Sequence, residues 1–557
     1  MPLHSLSISA MTYFIHRFLQ SLNTQWEAPA LNDYGREPIT YSELARRIVR
    51  LHLLWREAGL HQGDKIAIHA ASSSAWVETF MAVVSGGYVA VPLLNGYLPL
   101  DTQRLIDHAD SRILYTDAAS FEKMSFEEMP QLLAAIDLRT GALLAARNGF
   151  EEHYTTLENL FAAIYGEEFG RADVRFPERQ MEEVCVINYT SGSTGNPKGV
   201  MLTVGNFSSN VDEVLPAFPF LCGEGYLSIL PLAHIFGLTV DAITPLCAGM
   251  HLTILAALPI PHTLKTALQE VRPRLFFAVP LVLNKMIDYT IGEFIHSKSG
   301  SEKLADWRNH PDFCSALRTI IMAAFGGRCE AILTGGAAIP SQTEELLVTK
   351  LRAPFMTGYG MTECAPVISL GHPENYRIRS AGRMQQSYTY RIDSSDPERL
   401  AGELCVKGPC VFSGYYKNEA ATRAVFTPDG FFRTGDLGTV TREGDLFLVG
   451  RCKSMLLSTN GQNIFPEEIE VILNTLPYVA ESLIVQRQNR LVALIVPNAD
   501  KAMADHIDHT TLEGLMQKNL DELNQRIPAY SAVIDYELME NPFAKTPKGS
   551  IKRFMYA

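Results

Sequence analysis

The stretch Tyr189-Thr-Ser-Gly-Ser-Thr-Gly-Asn-Pro-Lys198-Gly199 combines three glycines, four serine or threonine hydroxyls and one lysine. It follows a short apolar run, residues 184–188, which favours a buried strand. Glycines let backbone N–H groups turn toward an anion, and short hydroxyls with a lysine add donors and positive charge. The chemistry of this stretch therefore suits a polyphosphate.

The residues expected to bind phosphate here have short side chains or none, apart from one lysine, and they are Thr190, Ser191, Gly192, Ser193, Thr194, Gly195 and Lys198. The spacing differs from that of P-loop ATPases, because Pro197 stands where their Gly-Lys pair would begin. The alternative is a polar surface linker, although a linker rarely follows a buried strand directly. Beyond the stretch, Asn206 is predicted to cap a helix that begins at Phe207.

The stretch resembles the signature of the adenylate-forming enzymes, which include acyl- and aryl-CoA synthetases, luciferases and peptide-synthetase adenylation domains. The likeness continues over nearly all of the chain. It implies that the protein uses ATP, Mg²⁺ and coenzyme A. A carboxylate would become an acyl-adenylate with release of pyrophosphate, and a thiol would then accept the acyl group and release AMP.

Strands and helices alternate from the capping box at Thr40–Glu43 to residue 116, which predicts an α/β fold with a largely parallel sheet. Residues 118–180 are expected to be irregular, with a helix or two. The resemblance implies a large N-terminal domain over residues 1–452, with mostly parallel sheets, flanking helices and a β-rich subdomain. A small mobile α+β domain would cover residues 453–557, with Ser454 at the position of the family's usual hinge aspartate.

A second motif is Gly358-Tyr-Gly-Met-Thr-Glu363. Its glycines permit close backbone approach, Tyr359 offers a flat face for adenine, and Thr362 can donate to the α-phosphate. The Glu363 carboxylate is a hard-oxygen ligand suited to Mg²⁺. The alternative is a turn before a helix capped by Thr362, and both interpretations can hold together. By resemblance, Thr190 joins Glu363 at the metal.

Further site residues rest on resemblance, and each has a plainer alternative. Gly335, Gly336 and Ala337 follow a strand and would lie along adenine and the acyl carboxylate, or form a simple turn. His234 would line the acyl pocket together with Gly335 and Gly360, although a lone histidine is more often part of a core or loop.

The ribose hydroxyls are assigned by resemblance to Asp436 and Arg451, with an Asx-turn residue as the alternative reading of Asp436.

The C-terminal tail departs from the family pattern. Ser550 occupies the position of the family's adenylation lysine, and Lys548 and Lys552 lie two residues to either side. In an extended segment both share the face of Ser550, so either lysine is a candidate for the catalytic cation. The alternative is a solvated basic tail.

Composition narrows the class of protein. A formal charge of −13 argues against nucleic-acid binding. Nine scattered cysteines without metal spacing favour reduced, mostly buried thiols in a cytoplasmic enzyme. No targeting segment or membrane span is evident, which leaves room only for transient membrane contact.

The function expected from the resemblance is that of an AMP-forming fatty acid–CoA ligase. The segments 231–237 and 358–366 are most similar to fatty-acyl-CoA synthetases, and acetate is disfavoured because acetate enzymes carry tryptophan around the second motif. The alternatives are an aromatic acid, transfer to a carrier-protein phosphopantetheine, or a nucleotide-binding member that has lost adenylation. The missing Gly-Lys-[Ser/Thr] disfavours a kinase or phosphohydrolase of the P-loop class.

Overall fold

The computed structural model describes residues 13–166, 169–191, 197–256, 259–457, 463–487, 490–545 and 551–556. The chain forms two compact units, the first made of Met1–Thr389 and Lys407–Ala424, the second of Tyr390–Val406 and Val425–Ala557. A domain boundary between residues 452 and 453 stays a prediction.

The strands are numbered in chain order: β1 Pro29–Asp33, β2 Ile39–Thr40, β3 Lys65–His69, β4 Val89–Pro92, β5 Ser111–Thr116, β6 Ala134–Asp137, β7 Leu143–Ala146, β8 Val184–Ser191, β9 Pro197–Thr203, β10 Gly225–Ser228, β11 His251–Ile254, β12 Leu275–Ala278, β13 Ala331–Thr334, β14 Phe355–Gly360, β15 Val367–Leu370, β16 Arg383–Met384, β17 Thr389–Asp393, β18 Gly402–Lys407, β19 Gly414–Tyr415, β20 Phe432–Val440, β21 Leu446–Arg451, β22 Leu456–Leu457, β23 Asn463–Ile464, β24 Val479–Arg487, β25 Arg490–Pro497 and β26 Val533–Leu538.

The α-helices are α1 Phe14–Thr24, α2 Tyr41–Glu57, α3 Ser74–Ser85, α4 Pro99–His108, α5 Ala118–Phe121, α6 Phe150–Tyr165, α7 Val204–Ala217, α8 Thr244–Cys247, α9 Pro261–Val271, α10 Pro280–His296, α11 Lys298–Ala305, α12 Pro311–Ala324, α13 Ser341–Glu345, α14 Glu419–Val425, α15 Pro466–Leu473, α16 Ala499–Ala504 and α17 His509–Arg526. None of the helices in the described chain is both long and apolar enough to cross a membrane.

Three sheets build the first unit. The eight-stranded sheet has the order β19-β9-β8-β4-β3-β5-β6-β7, and its strands from β8 to β6 run parallel. The sheet β12-β13-β14-β15-β16 is parallel over its first three strands, and β10-β11-β1 are parallel in the sheet that β2 completes. The expected α/β architecture with largely parallel sheets is therefore confirmed.

Two local predictions were wrong. Residues 134–146 are not irregular, because β6 and β7 extend the large sheet with two four-residue strands that are too short to show a clear period. The cap of α7 is Thr203, whose hydroxyl accepts from Asn206 N at 3.2 Å. In return, Asn206 Oδ1 accepts from Thr203 N at 2.8 Å, which completes a capping box. The helix therefore begins at Val204, three residues before the predicted start.

The second unit combines the sheet β17-β18-β20-β21 with the sheet β24-β25-β26. Helices α15 and α17 pack on the latter sheet around buried residues that include Leu473, Ile484 and Leu520. All nine cysteines are free thiols, and seven of them are buried, as the sequence predicted; Cys222 is exposed and Cys452 half-buried.

Candidate active site

The described parts of the signature stretch lie on two antiparallel strands, β8 and β9. Strands β8 and β9 pair in register, with Thr190 opposite Lys198 and Ser191 opposite Pro197. The predicted strand before the loop is confirmed, and a second strand, β9, lies between the loop and helix α7. The predicted phosphate ligands Gly192, Ser193, Thr194 and Gly195 lie outside the described residues.

Gly199 has a packing role that the sequence did not indicate. It lies within β9, where an added Cβ would come within 2.9 Å of Ile187 and 3.3 Å of Tyr416. The glycine therefore lets three elements of the sheet approach one another closely.

A second group of predicted site residues lies at the carboxyl ends of the neighbouring parallel strands β13 and β14. Gly335 follows β13, and a Cβ there would lie 3.3 Å from the carbonyl oxygen of Gly358. At Gly360 a Cβ would lie only 2.0 Å from the carbonyl oxygen of Pro366. The predicted close backbone approach in this motif is thus confirmed, and Ala337 is exposed on the loop beyond it.

A cavity of about 50 Å³ opens between these strands. Of the predicted site residues, those that line it are His234, Gly335, Gly336, Tyr359, Gly360 and Thr362. The rest of its wall is largely hydrocarbon and comprises Val214, Phe218, Phe236, Val240, Phe277, Leu333, Gly358, Met361, Pro366, Val367, Ser369 and Leu370. The structure therefore brings six of the predicted residues to one apolar slot.

His234 lies in this wall with a fixed tautomer. The backbone N–H of Phe236 donates to His234 Nδ1 at 3.2 Å, so Nδ1 carries no proton and the ring hydrogen is on Nε2. The role of His234 in an acyl pocket stays a prediction.

Thr362 and Glu363 lie beside the cavity in a three-residue 3₁₀ turn, Thr362–Cys364, rather than at the start of the helix considered above. Both side chains are buried. Tyr415 donates its hydroxyl to Glu363 Oε1 at 3.0 Å, and Lys198 Nζ lies 4.8 Å from the centre of the same tyrosine ring. Sequence reasoning found no chemistry in Tyr415, because strand β19 reaches the site only through pairing with β9.

A buried carboxylate that sequence reasoning also missed supports the segment leading to His234. Asp241 lies in a π-helical stretch, Gly237–Ile243, and accepts from Tyr226 Oη at 2.5 Å and from Ser228 Oγ at 3.1 Å. It also accepts from the backbone N–H groups of Ile229 and Leu230, both at 2.9 Å.

Burial raises the pKa of Asp241 to about 6, although these four donors stabilise its charge. The sequence signal that could have identified Asp241 is its position as a lone aspartate inside an apolar run.

In the second unit, Asp436 and Arg451 face each other across β20 and β21, and Arg451 Nε lies 2.9 Å from Asp436 Oδ1. The alternative reading of Asp436 as an Asx-turn residue is wrong, since the residue is buried within a strand, and its ribose role stays a prediction. Of the tail lysines, Lys548 lies outside the described residues. Lys552 follows a bridge between Lys545 and Ile551, and its backbone N–H donates to Ala544 at 2.8 Å.

Comparison with known proteins places the sequence among nucleotide-dependent ligases. The sequence profile of the AMP-binding enzyme family matches residues 18–416, and that of the AMP-binding enzyme C-terminal domain matches residues 453–556. The chain is 30% identical to a feruloyl-CoA synthase from an Amycolatopsis species, over 89% of this chain and 92% of that one.

It is 25% identical to the long-chain-fatty-acid–CoA ligase FadD15 of Mycobacterium bovis, over 93% of this chain and 86% of that one. Among solved structures, the anthranilate CoA ligase AuaEII in complex with anthranoyl-AMP superposes with a TM-score of 0.77 at 17% identity, covering 98% of this chain and 96% of that one. This last likeness concerns the fold.

Proposed function

Because the chain belongs to the AMP-binding enzyme family, we propose that it activates a medium- or long-chain fatty acid with ATP and transfers the acyl group to coenzyme A. The chain is an adenylate-forming acid–CoA ligase, an activity in keeping with the names of both curated relatives. The choice of a fatty acid as the substrate rests on the cavity, whose lining contains no Asp, Glu, Lys or Arg side chain among the described residues.

An apolar lining favours a hydrocarbon tail over a charged or strongly polar one. A polar group on the acid would need a hydrogen-bond partner in the cavity, and leaving it without one costs roughly 1–3 kcal/mol. Of the polar side chains in the lining, Ser369 is already engaged, because its hydroxyl donates to the carbonyl of Ala381 at 2.7 Å.

The cavity must widen to take any such acid. Its volume of about 50 Å³ is well below the roughly 150 Å³ of a cavity that holds benzene. Movement of the Phe236 side chain would widen the cavity, because its ring forms part of the cavity wall. The ring lies 3.3 Å from the position that a Cβ on Gly335 would take, next to the carboxyl end of β13.

The first step of the reaction depends on positioning and on charge neutralisation. The acid's carboxylate attacks the α-phosphorus of ATP, and pyrophosphate leaves. In this proposal the Lys198 ammonium and the Thr362 hydroxyl would offset negative charge, and a tail lysine, Lys548 or Lys552, would add a second cation. In the second step the thiolate of coenzyme A attacks the acyl carbon and AMP leaves.

The donor chemistry of the two residues assigned to the metal fits Mg²⁺. Glu363 presents a carboxylate and Thr190 a hydroxyl, which are the hard oxygen ligands that this ion prefers. When bound, the ion would neutralise part of the triphosphate charge. Adenine would lie against Tyr359, and the ribose hydroxyls would bind Asp436 and Arg451.

ATP–pyrophosphate exchange tests the proposal with four matched reactions, containing palmitate, octanoate, ferulate or no acid. We expect exchange with palmitate or octanoate and only background with ferulate and without acid. Addition of coenzyme A should then yield the acyl thioester. Exchange driven by ferulate would transfer the assignment to aromatic acids, as the 30% identity to a feruloyl-CoA synthase would favour.

Two further outcomes contradict the proposal in different ways. Exchange without thioester formation would point to a carrier-protein acceptor, which a phosphopantetheine-bearing protein substituted for coenzyme A would reveal. ATP binding without exchange for any acid would identify a member that has lost adenylation.

A further inference from the structure

Tyr415 lies between strand β9, which carries Lys198, and the motif that carries Glu363. Its strand β19 pairs with β9, so that Tyr415 is opposite Val200, two residues after Lys198. Its backbone N–H donates to Thr422 Oγ1 at 2.9 Å, and the side chain is buried. The backbone of Tyr415 is therefore anchored, and burial restricts the movement of its ring.

The hydroxyl of Tyr415 holds the carboxylate of Glu363. The two side chains are both buried, and the oxygen–oxygen distance is 3.0 Å. The same segment also holds the backbone of Glu363, because the N–H of Phe412 donates to its carbonyl at 2.8 Å.

The face of the same ring meets the ammonium group of Lys198. The distance of 4.8 Å from Nζ to the ring centre is within the range of a cation–π contact. Within the described chain, Lys198 and Glu363 form no ion pair with each other. One phenol thus contacts two oppositely charged groups without letting them neutralise each other, and both charges remain available to a ligand.

We propose that Tyr415 is a positioning residue that orients the Glu363 carboxylate for Mg²⁺ and the Lys198 ammonium for the triphosphate. The inference rests on the proposed function, because it assigns those two ligands to this site. It predicts that the two contacts can be separated by substitution. Loss of the hydroxyl should weaken Mg²⁺ binding through Glu363, and loss of the ring should weaken triphosphate binding through Lys198.

The test measures nucleotide binding to the full chain by calorimetry, with ATP and Mg²⁺ and with ATP in a chelator. In Tyr415→Phe we expect affinity for ATP alone within twofold of wild type. The enhancement by Mg²⁺ should fall roughly tenfold, which is the scale of one hydrogen bond to a charged group. The matched control is Tyr416→Phe, which removes the neighbouring phenolic hydroxyl from Asp110, 2.6 Å away, and should change neither affinity.

A double-mutant cycle separates positioning from general loosening of the fold. In a Glu363→Gln background, Tyr415→Phe should cause no further loss of the Mg²⁺ enhancement, because its effect passes through the carboxylate. An additive loss in this background would overturn the inference. So would an unchanged Mg²⁺ enhancement in Tyr415→Phe itself.

A second variant, Tyr415→Leu, tests the contact of the ring with Lys198. It should weaken binding of ATP alone by several-fold, in addition to the loss of Mg²⁺ enhancement, and retention of full affinity would contradict that half of the inference. Failure of the proposed function is distinguishable, since a wild-type chain that binds ATP with Mg²⁺ but exchanges pyrophosphate with no acid would refute only the proposed function.

Discussion

Gly360 lies closer to a neighbouring carbonyl than any residue with a side chain could. A Cβ would meet Pro366 O at 2.0 Å and Pro366 C at 2.7 Å, and these are backbone atoms that cannot rotate away. We therefore expect Gly360→Ala to open the turn between β14 and β15, to cost roughly 2 kcal/mol of stability and to abolish acid-dependent exchange. Thermal unfolding and the exchange assay measure the two effects.

Gly514 supplies the control for this substitution. It lies exposed in helix α17, and a Cβ there would meet nothing within 4 Å. Gly514→Ala should leave exchange unchanged and stabilise the chain by up to about 1 kcal/mol, because alanine is the better helix former. Normal exchange in Gly360→Ala would show that the close approach is not needed for activity.

Asp241 gives a pH-dependent prediction at the same scale. Its pKa is about 6 in the folded chain against an ordinary 3.8, so its contribution to stability is fully present below pH 3.8 and is lost as pH rises through about 6. Tyr226→Phe removes a donor to the ionised carboxylate, so it should cost about 2 kcal/mol at pH 7.5 and distinctly less at pH 5.

Tyr34→Phe is the matched control, since Tyr34 also donates to a carboxylate, Glu270 at 2.6 Å, but at an exposed site. Its small effect on the melting temperature should be the same at both pH values. An equal loss at both pH values in Tyr226→Phe would mean that Asp241 does not ionise in this range.

At the scale of elements, the basic residues of the C-terminal tail differ in their partners. Lys545 pairs with Glu481, and Arg553 pairs with Glu470. Among the described residues Lys552 contacts no carboxylate, which leaves its charge for a ligand. We expect either Lys552→Ala or Lys548→Ala, but not both, to reduce pyrophosphate exchange at least roughly a hundredfold, a loss typical of removing one preorganised donor.

Lys545→Ala is the control on the same tail, and its exchange should stay within a few-fold of wild type because that ammonium is already engaged. Retention of exchange in both Lys548→Ala and Lys552→Ala would show that the tail does not supply the catalytic cation.

The order of strands and helices was predictable because most elements are set by local patterns. The capping box at Thr40, for example, is confirmed by the bond from Glu43 N to Thr40 Oγ1 at 3.2 Å. Pairings between distant segments were not predictable. Strand β19 joins β9 from more than 200 residues away, so the contact of Tyr415 with Glu363 leaves no trace in the spacing of either motif.

The site was predictable as a set of motifs more than as a geometry. The glycines at 335 and 360 could be identified because each follows a predicted strand or motif residue, and the structure brings both to one cavity. Only the local structure at Asp436 differs from the turn that the sequence suggested, because Gly435, with φ at +75°, is a local irregularity within β20. Bulges of this kind depend on the partner strand, which sequence alone does not identify.

At the scale of the whole molecule, residues 453–557 contain a hydrophobic core of their own. The buried members of one cluster lie between Ile464 and Val533, and those of a second between Leu483 and Phe543. The tail completes the second cluster: the rings of Phe543 and Tyr556 lie 5.1 Å apart, and Ala544 N donates to Tyr556 Oη at 2.7 Å.

These contacts predict that a fragment of residues 453–557 folds alone, because a core contained within one segment needs no partner for its burial. We expect a cooperative thermal transition by circular dichroism. A fragment of residues 453–542 should melt at a distinctly lower temperature, since truncating a buried aromatic ring such as that of Phe543 costs about 3–5 kcal/mol. A non-cooperative transition in the longer fragment would place the boundary elsewhere, whereas equal stability of the two fragments would show that the tail does not pack.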